Sequence, residues 1–331
     1  MRPLTSICLK GVAALALAGT MAWAQAAGYQ HGHADDPQGP ALEISIWYPS
    51  ATPAGSLDLG PYTLKVAPDA PLQGRGLPLV VVSHGNGGSM MGHQDTAIAL
   101  ADAGFVVAAV THTGDNYADQ SRALDILDRP RQISRVIDHM LSRWPGHEAI
   151  DPARVGVFGF SSGGFTALVD IGGRPDLSLI AGVCREHPED YACGLIARSR
   201  QPVALPAVPV SLHDERIRAA VVAAPALGFT FTAEGLKDVK VPVQLWRAED
   251  DRLLPQPRYA EAVRLALPQA PEYHVVPLAG HFDFLAPCSA LLAQHVPDIC
   301  RSNPGFDRAA FHERFDAEVV GFFERTLKAA D

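Results

Sequence analysis

The most informative segment of this chain is Arg154-Val155-Gly156-Val157-Phe158-Gly159-Phe160-Ser161-Ser162-Gly163-Gly164. A short apolar run leads into the motif Gly-x-Ser-x-Gly, and a helix-like segment follows it. A turn this tight forces the backbone of Ser161 into a strained conformation, and side chains at Gly159 and Gly163 would collide with the neighbouring strand and helix. The stretch therefore predicts a strand, turn and helix that point the Ser161 hydroxyl into open space.

The rest of the chain repeats an alternation of strand-like and helix-like segments. Continuous apolar runs without period-two alternation are typical of strands buried on both faces, and intervening helices are typical of parallel crossovers. Such runs occupy residues 77–82, 105–110, 155–158, 217–223, 241–246 and 273–276. Residues 41–48 and 62–66 predict two antiparallel strands at the start of the sheet. We predict an α/β fold with a mostly parallel central sheet and helices on both faces.

Two segments carry apolar residues at helical spacing. Each is preceded by an aspartate that we expect to cap the helix, Asp128 in the first case and Asp307 in the second. The apolar positions are Ile133, Val136, Ile137, Met140 and Leu141, and then Phe311, Phe315, Val319, Phe322 and Phe323. Both patterns predict amphipathic helices packed on the sheet.

The ends of the chain predict its processing and domain boundaries. Arg2 and Lys10 precede a short apolar run and the small-x-small site Ala22-Trp23-Ala24, which indicates a cleaved signal peptide over residues 1–24. Residues 25–40 lack an apolar period and predict a flexible segment. We expect residues 41–331 to form the α/β domain, in which residues 172–214 interrupt the alternation and predict a lid-like insertion after the helix that follows Ser161. No stretch is long and apolar enough to span a membrane.

Charge and cysteine content narrow the classes of partner and compartment. The formal net charge of −9 has the wrong sign for tracking nucleic acid. Cleavage of the signal peptide would remove Cys8 and leave four of the five cysteines. An even number of cysteines in an exported chain favours disulfides. The simplest of three connectivities pairs Cys184 with Cys193 and Cys288 with Cys300, and buried free thiols are the alternative. The spacing of Cys and His residues that is typical of zinc sites is missing, so we predict no metal site. The signal peptide and the expected disulfides together predict a periplasmic or secreted protein.

A serine nucleophile needs a base, and the base needs a carboxylate to orient it. The run 243–248 ends in an acidic cluster, from which we select Asp251 because it stands four residues before Pro255; Asp250 remains the alternative. His281 follows the last strand-like run, and the preceding Gly280 lets its loop approach the serine closely. The predicted catalytic residues are therefore Ser161, Asp251 and His281, in that chain order.

The negative charge that develops on the substrate carbonyl oxygen also requires hydrogen-bond donors. We expect one backbone N–H from Ser162, directly after the nucleophile, and one from Asn86 in the glycine-rich loop after run 77–82. In the same loop, His84 is expected to brace the main chain. The residues expected to line the substrate pocket are Met90, Met91, His112 and Phe282.

These motifs resemble the α/β-hydrolase superfamily, and more narrowly the exported bacterial hydrolases related to dienelactone hydrolase and platelet-activating factor acetylhydrolase. The resemblance rests on Ser83-His84-Gly85-Asn86-Gly87-Gly88, on Arg129-Pro130 with the helix after it, and on the stretch around Ser161. It implies a serine ester hydrolase acting on small acyl esters or lactones. Dienelactone hydrolases proper carry cysteine at the position of Ser161, so their own reaction is not implied.

The function that these residues favour is ester hydrolysis by an exported serine enzyme that needs no cofactor. Its partner would be a small-molecule ester, and the sequence leaves the oligomeric state open. Two alternatives remain: a peptidase or amidase with the same three residues, and a noncatalytic binding protein on the same scaffold.

Overall fold

A computed structural model describes residues 26–199 and 212–328. Its strands are β1 (Gly28–Ala34), β2 (Leu42–Tyr48), β3 (Gly55–Leu59), β4 (Tyr62–Pro68), β5 (Leu77–Ser83), β6 (Val106–Thr111), β7 (Ile150–Phe160), β8 (Ile217–Ala223), β9 (Val243–Ala248) and β10 (Glu272–Val276). Its α-helices are α1 (Gln94–Asp102), α2 (Asp128–Ser142), α3 (Ser162–Asp170), α4 (Leu179–Glu186), α5 (Tyr191–Arg198), α6 (Ala233–Leu236), α7 (Ala260–Ala266), α8 (Ala290–His295), α9 (Pro297–Cys300) and α10 (Arg308–Phe323). The predicted signal peptide, residues 1–24, lies outside the described residues.

The strands form one sheet in the order β10-β9-β8-β7-β5-β6-β2-β1-β4-β3. The pairs from β6 through β5, β7, β8 and β9 to β10 are all parallel, and β2 runs antiparallel to β6. This arrangement confirms the predicted α/β fold. The carboxyl ends of the parallel strands meet at one edge of the sheet, which is where open α/β sheets place their ligand sites.

The sheet separates two apolar cores, because successive side chains of a strand point to opposite faces. In β5, Leu79 and Val81 join the core beneath α2 and α3, whereas Val80 and Val82 join the core beneath α1 and α10. Both sides of the central strands are therefore buried. The continuous apolar runs in the sequence have this cause.

Two expectations about helix starts had different outcomes. Asp307 caps α10 as predicted, since its carboxylate accepts a hydrogen bond from the N–H of Ala310 at 3.0 Å. The prediction for Asp128 was wrong: this residue is the first of α2, and its carboxylate pairs with Arg131 and Gln132 instead of with a backbone N–H. The side chains of Arg131 and Gln132 donate to the carboxylate oxygens of Asp128 that a helix cap would have used.

The expectation that residues 25–40 are flexible was wrong for most of the segment. Gly28–Ala34 forms β1, which pairs with β2 along its whole length in antiparallel register. Tyr29 is buried and its hydroxyl lies 2.9 Å from the Ser45 hydroxyl. The apolar pattern is hidden in the sequence because Gly28 and Gly32 supply no apolar side chain and His31 faces solvent.

Both expected disulfides are present, which confirms the predicted pairing. Cys184 bonds to Cys193 and Cys288 bonds to Cys300, with Cα atoms 5.4 and 5.7 Å apart. The first bond joins α4 to α5. These two helices form the described part of the insertion between α3 and β8, and residues 200–211 of it lie outside the described residues.

Within residues 26–199 and 212–328, every helix is too short or too polar to cross a lipid bilayer.

Candidate active site

Ser161 sits in the turn between β7 and α3, with the backbone strain that its motif predicts. Its φ is 56° and its ψ is −116°, a conformation that L-residues rarely adopt. A Cβ atom at Gly159 would lie 2.0 Å from the carbonyl oxygen of Gly163, and one at Gly163 would lie 1.9 Å from that of Ser83. Only glycine fits at both positions, so the two glycines permit the turn that presents the Ser161 hydroxyl.

The structure brings the three predicted catalytic side chains together. The Nε2 atom of His281 lies 3.0 Å from Oγ of Ser161, and its Nδ1 atom lies 2.7 Å from Oδ2 of Asp251. All three residues are buried, between 6% and 8% exposed. Because an ionised carboxylate only accepts hydrogen bonds, Nδ1 carries the proton and Nε2 is left to accept the hydroxyl proton of Ser161.

Backbone contacts fix the carboxylate and the imidazole in place. The other oxygen of Asp251 accepts hydrogen bonds from the N–H groups of Leu253 and Leu254, at 3.0 and 2.8 Å. The turn that begins at His281 is held by Asp283, which accepts from the N–H of Gly280 at 2.7 Å and pairs with the buried Arg308. Both partners of the serine therefore sit on loops that hydrogen bonds hold in one conformation.

The two expected oxyanion donors both line the cavity beside Ser161. Ser162 is the first residue of α3, where a helix leaves its N–H groups without partners in the helix. Asn86 lies in the turn after β5. Within the described residues, neither backbone N–H donates to another protein atom. Both are thus free to donate to a substrate oxygen.

A buried ion pair supports the loop that carries Asn86. Asp115 accepts hydrogen bonds from Nδ2 of Asn86 at 2.6 Å and from the N–H of Gly87 at 3.0 Å. The same carboxylate pairs with Arg129, whose guanidinium also donates to the carbonyl of His84 and to Thr166 on α3. This pair ties the loop to the nucleophile helix. The sequence reasoning missed Asp115, although Arg129 belongs to the motif that carries the resemblance.

His84 and His112 form a buried, uncharged pair behind the loop. His84 donates through Nδ1 to the carbonyl of Gly85 at 2.6 Å and accepts through Nε2 from the N–H of His112 at 3.0 Å. Burial and the nearby Arg129 guanidinium lower the pKa of His84 to about 3, so the ring stays neutral. His84 braces the loop as expected. His112, by contrast, does not line the cavity: it is fully buried, bonded to Ser83 and Gln132.

The cavity at Ser161 is mainly apolar and has a volume of about 240 Å³. Its apolar wall comes from the loop before α2, from the insertion and from the loops after β8 and β9. The residues that carry this wall are Ala123, Leu124, Ile126, Leu127, Leu177, Ile180, Ala192, Leu195, Ile196, Ala226, Leu227 and Leu254. Tyr191 and Tyr259 also line the cavity, and their hydroxyls donate to Asn86 and Asp190.

The remaining expected pocket residues lie elsewhere. Met91 is buried in the core beneath α1, where its sulfur accepts from the hydroxyl of Ser45 at 3.8 Å. Met90 packs against the same core, and the ring of Phe282 lies beside that of His281. None of the three lines the cavity. The sequence reasoning instead missed residues 123–128, which supply part of the wall.

Among the residues that the structure describes, two groups of side chains have ligand atoms close enough to share a metal ion: Asp95 with His312 and Asp316, and Glu272 with His274 and Glu318. Neither group contains a residue of the cavity or of the Ser161 constellation. Each is also internally paired, His312 with Asp95 and His274 with Glu272.

Comparisons with known proteins agree with this architecture. The family platelet-activating factor acetylhydrolase, isoform II, matches residues 51–127, which include the loop of Asn86. The protein NocK of Nocardia uniformis subsp. tsuyamanensis, which carries the name of an esterase, is 30% identical over 135 residues. That alignment covers 40% of this chain and 39% of NocK, so the chain matches about two fifths of this relative's length.

One solved structure is similar over almost its whole length. The ferulic acid esterase from Streptomyces cinnamoneus aligns with a TM-score of 0.63 and 22% identity, covering 95% of this chain and 93% of that one. At this level of identity the match shows a shared fold.

Proposed function

We propose that this chain, an α/β-hydrolase similar in sequence to platelet-activating factor acetylhydrolase and to a protein named as an esterase, hydrolyses small carboxylic esters with Ser161 as its nucleophile. The observation that carries the proposal is the continuous line of contacts from Ser161 through His281 to Asp251, at 3.0 and 2.7 Å. At its Ser161 end, this line of contacts opens into a mostly apolar cavity that Asn86 and Ser162 also line, and within the described residues their backbone N–H groups have no acceptor.

The geometry supports a two-step acyl transfer. Oγ of Ser161 attacks the ester carbonyl while Nε2 of His281 takes its proton, and the Asp251 carboxylate stabilises the imidazolium that forms. His281 then gives the proton to the leaving alcohol, which leaves an acyl group on Ser161. A water molecule activated by the same imidazole releases the acid and restores the serine.

The tetrahedral intermediate of each step carries a negative oxygen. We expect the N–H groups of Asn86 and Ser162, two residues that line the cavity, to donate to it, and α3 adds the positive end of its dipole at Ser162. Losing one such donor typically costs about 3 to 4 kcal/mol of transition-state stabilisation. Because the donors are backbone groups, a side-chain substitution cannot remove them and can change only their position.

The cavity favours small or medium apolar groups on the substrate. Its volume of about 240 Å³ and its leucine and isoleucine walls suit a short acyl chain, a lactone ring or one aromatic ring. The insertion supplies much of the wall through α4 and α5, so we assign it the role of a lid or pocket wall.

We also infer that the protein works outside the cytoplasm. Its two disulfides are typical of an oxidising compartment, and they agree with the signal peptide expected over residues 1–24.

The direct test is hydrolysis of p-nitrophenyl acetate and p-nitrophenyl butyrate by the purified protein. Ser161→Ala is expected to lower kcat/KM by about 10⁴-fold or more, because it removes the nucleophile. Ser178→Ala, which changes an exposed serine on the insertion, is the matched control and should retain wild-type activity. Wild-type activity in Ser161→Ala would reject the proposal.

The same assay separates ester from amide hydrolysis. We expect the butyryl ester to be cleaved much faster than the matching butyryl p-nitroanilide. Comparable rates on the two would instead support the peptidase or amidase alternative.

A further inference from the structure

Tyr191, the first residue of α5, links the insertion to the loop of Asn86. Its hydroxyl donates a hydrogen bond to the side-chain oxygen of Asn86 at 2.7 Å, and its ring lines the cavity at Ser161. The two residues are 105 positions apart in the chain. This contact is therefore a tertiary one, made only when the insertion lies against the body of the protein.

The Asn86 side chain is held at both of its ends. Its Nδ2 donates to the Asp115 carboxylate at 2.6 Å while its Oδ1 accepts from Tyr191. A carboxylate can only accept and a tyrosine hydroxyl can donate, so this amide has a single satisfactory orientation. A residue restrained at both ends of its side chain has little freedom to turn its backbone N–H.

The residues next to Tyr191 in α5 are also restrained. Asp190 caps α5 by accepting from the N–H of Ala192 at 3.2 Å, and its carboxylate accepts from the hydroxyl of Tyr259 at 2.5 Å. Two residues after Tyr191, Cys193 is bonded to Cys184 of α4. These contacts restrain the first turn of α5. The Tyr191 hydroxyl therefore has a defined position from which it can orient the Asn86 side chain.

We propose that Tyr191 is a positioning residue that aims the backbone N–H of Asn86 at the oxyanion of the reaction. The insertion thereby completes the oxyanion hole in addition to walling the cavity. This inference rests on the proposed ester hydrolysis at Ser161, and it assigns the insertion a part in catalysis.

The proposal predicts which kinetic constant changes. The N–H of Asn86 gains most of its interaction only when the carbonyl oxygen becomes negative, so a misplaced N–H weakens the transition state more than the bound ester. Tyr191→Phe keeps the ring in the cavity wall and deletes only the hydroxyl. We expect kcat on p-nitrophenyl butyrate to fall about fivefold or more, with KM nearly unchanged.

A transition-state analogue provides a readout that a merely structural role would not change. Oγ of Ser161 adds to the carbonyl carbon of a trifluoromethyl ketone while its proton passes to Nε2 of His281, and the former carbonyl oxygen becomes an oxyanion in the hole. Its inhibition constant should rise in Tyr191→Phe by about the same factor as kcat falls. The inhibition constant of butyrate, which forms no tetrahedral oxyanion, should stay the same. Tyr117→Phe, which changes a tyrosine that is 72% exposed, is the matched control.

A double-mutant cycle tests whether the effect passes through Asn86. Asn86→Ala removes the acceptor for the Tyr191 hydroxyl, so adding Tyr191→Phe to it should cause no further loss of kcat.

Three results would overturn the proposal: an unchanged kcat in Tyr191→Phe, an equal further loss in the Asn86→Ala background, or a loss confined to KM. In each, an inactive Ser161→Ala would leave the proposed function standing. An active Ser161→Ala would reject both.

Discussion

Asp250 and Asp251 are neighbours in the chain, yet only one carboxylate reaches the imidazole. Asp251 is buried, with one oxygen on His281 and the other on two backbone N–H groups. Asp250 is exposed, and its backbone N–H donates to the carbonyl of Ala279. The structure therefore favours Asp251 over Asp250 as the acid, and substituting each aspartate tests this choice.

Asp251→Asn is expected to lower kcat by about 10⁴-fold, because an amide at this position can donate to Nδ1 and favours the wrong tautomer of His281. Asp250→Asn should keep kcat within about twofold. Steady-state hydrolysis of p-nitrophenyl butyrate by the two variants measures both. The opposite ranking would make Asp250 the acid of the constellation.

At the scale of single residues, the sequence could predict what a local motif dictates. Ser161 and Ser162 follow from the glycine turn, and His281 follows from its place after the last strand. Tyr191 and Asp115 could not be predicted, because each acts through a contact with Asn86 that only the folded chain creates. His112 was misjudged for the same reason, since its buried partners come from β5 and α2.

At the scale of elements, α1 and α10 pack with acidic groups between them. Asp95 and Thr96 of α1 face His312 and Asp316 of α10, with the Thr96 hydroxyl donating to Asp316 at 2.6 Å and His312 paired with Asp95 at 2.7 Å. Burial and the Asp95 carboxylate raise the pKa of Asp316 to about 7. The charged form of Asp316 is therefore disfavoured at this helix interface.

This shift predicts a pH dependence of stability. The folded state binds the proton of Asp316 more tightly than the unfolded chain does, so the contribution is complete below pH 4 and is lost as the pH rises through about 7. Asp316→Asn stays neutral and can still accept from Thr96, so its urea midpoint should fall less than that of wild type between pH 6 and pH 8.

Glu313→Gln, which changes an exposed acid on the same helix, should keep the wild-type dependence. Equal changes of the urea midpoint in wild type and Asp316→Asn would contradict this account of the interface.

The elements that sequence could predict are those with strong patterns. The buried parallel strands and the helix ending in Phe322 and Phe323 follow from their apolar residues. Strands β1 and β3 lie toward the far edge of the sheet, where few apolar side chains are needed, and their sequences carry no comparable signal.

At the scale of the whole molecule, the cavity is assembled from separate parts of the chain. Residues 123–128, the described part of the insertion and the loops after β8 and β9 meet over Ser161. The sequence predicted a lid-like insertion over residues 172–214, but not which of its residues face inward. That choice depends on how α4 and α5 dock, which the disulfide and the contact between Asp190 and Tyr259 restrain.

We expect the fold to activate one serine, Ser161. Labelling with a fluorophosphonate, followed by intact-mass and peptide mass spectrometry, tests it most directly, because the reagent reacts with a serine whose proton an imidazole accepts. We predict one adduct per chain, on the peptide that contains Ser161, and no adduct in Ser161→Ala. An adduct on another residue, or an unlabelled wild-type protein, would contradict the account.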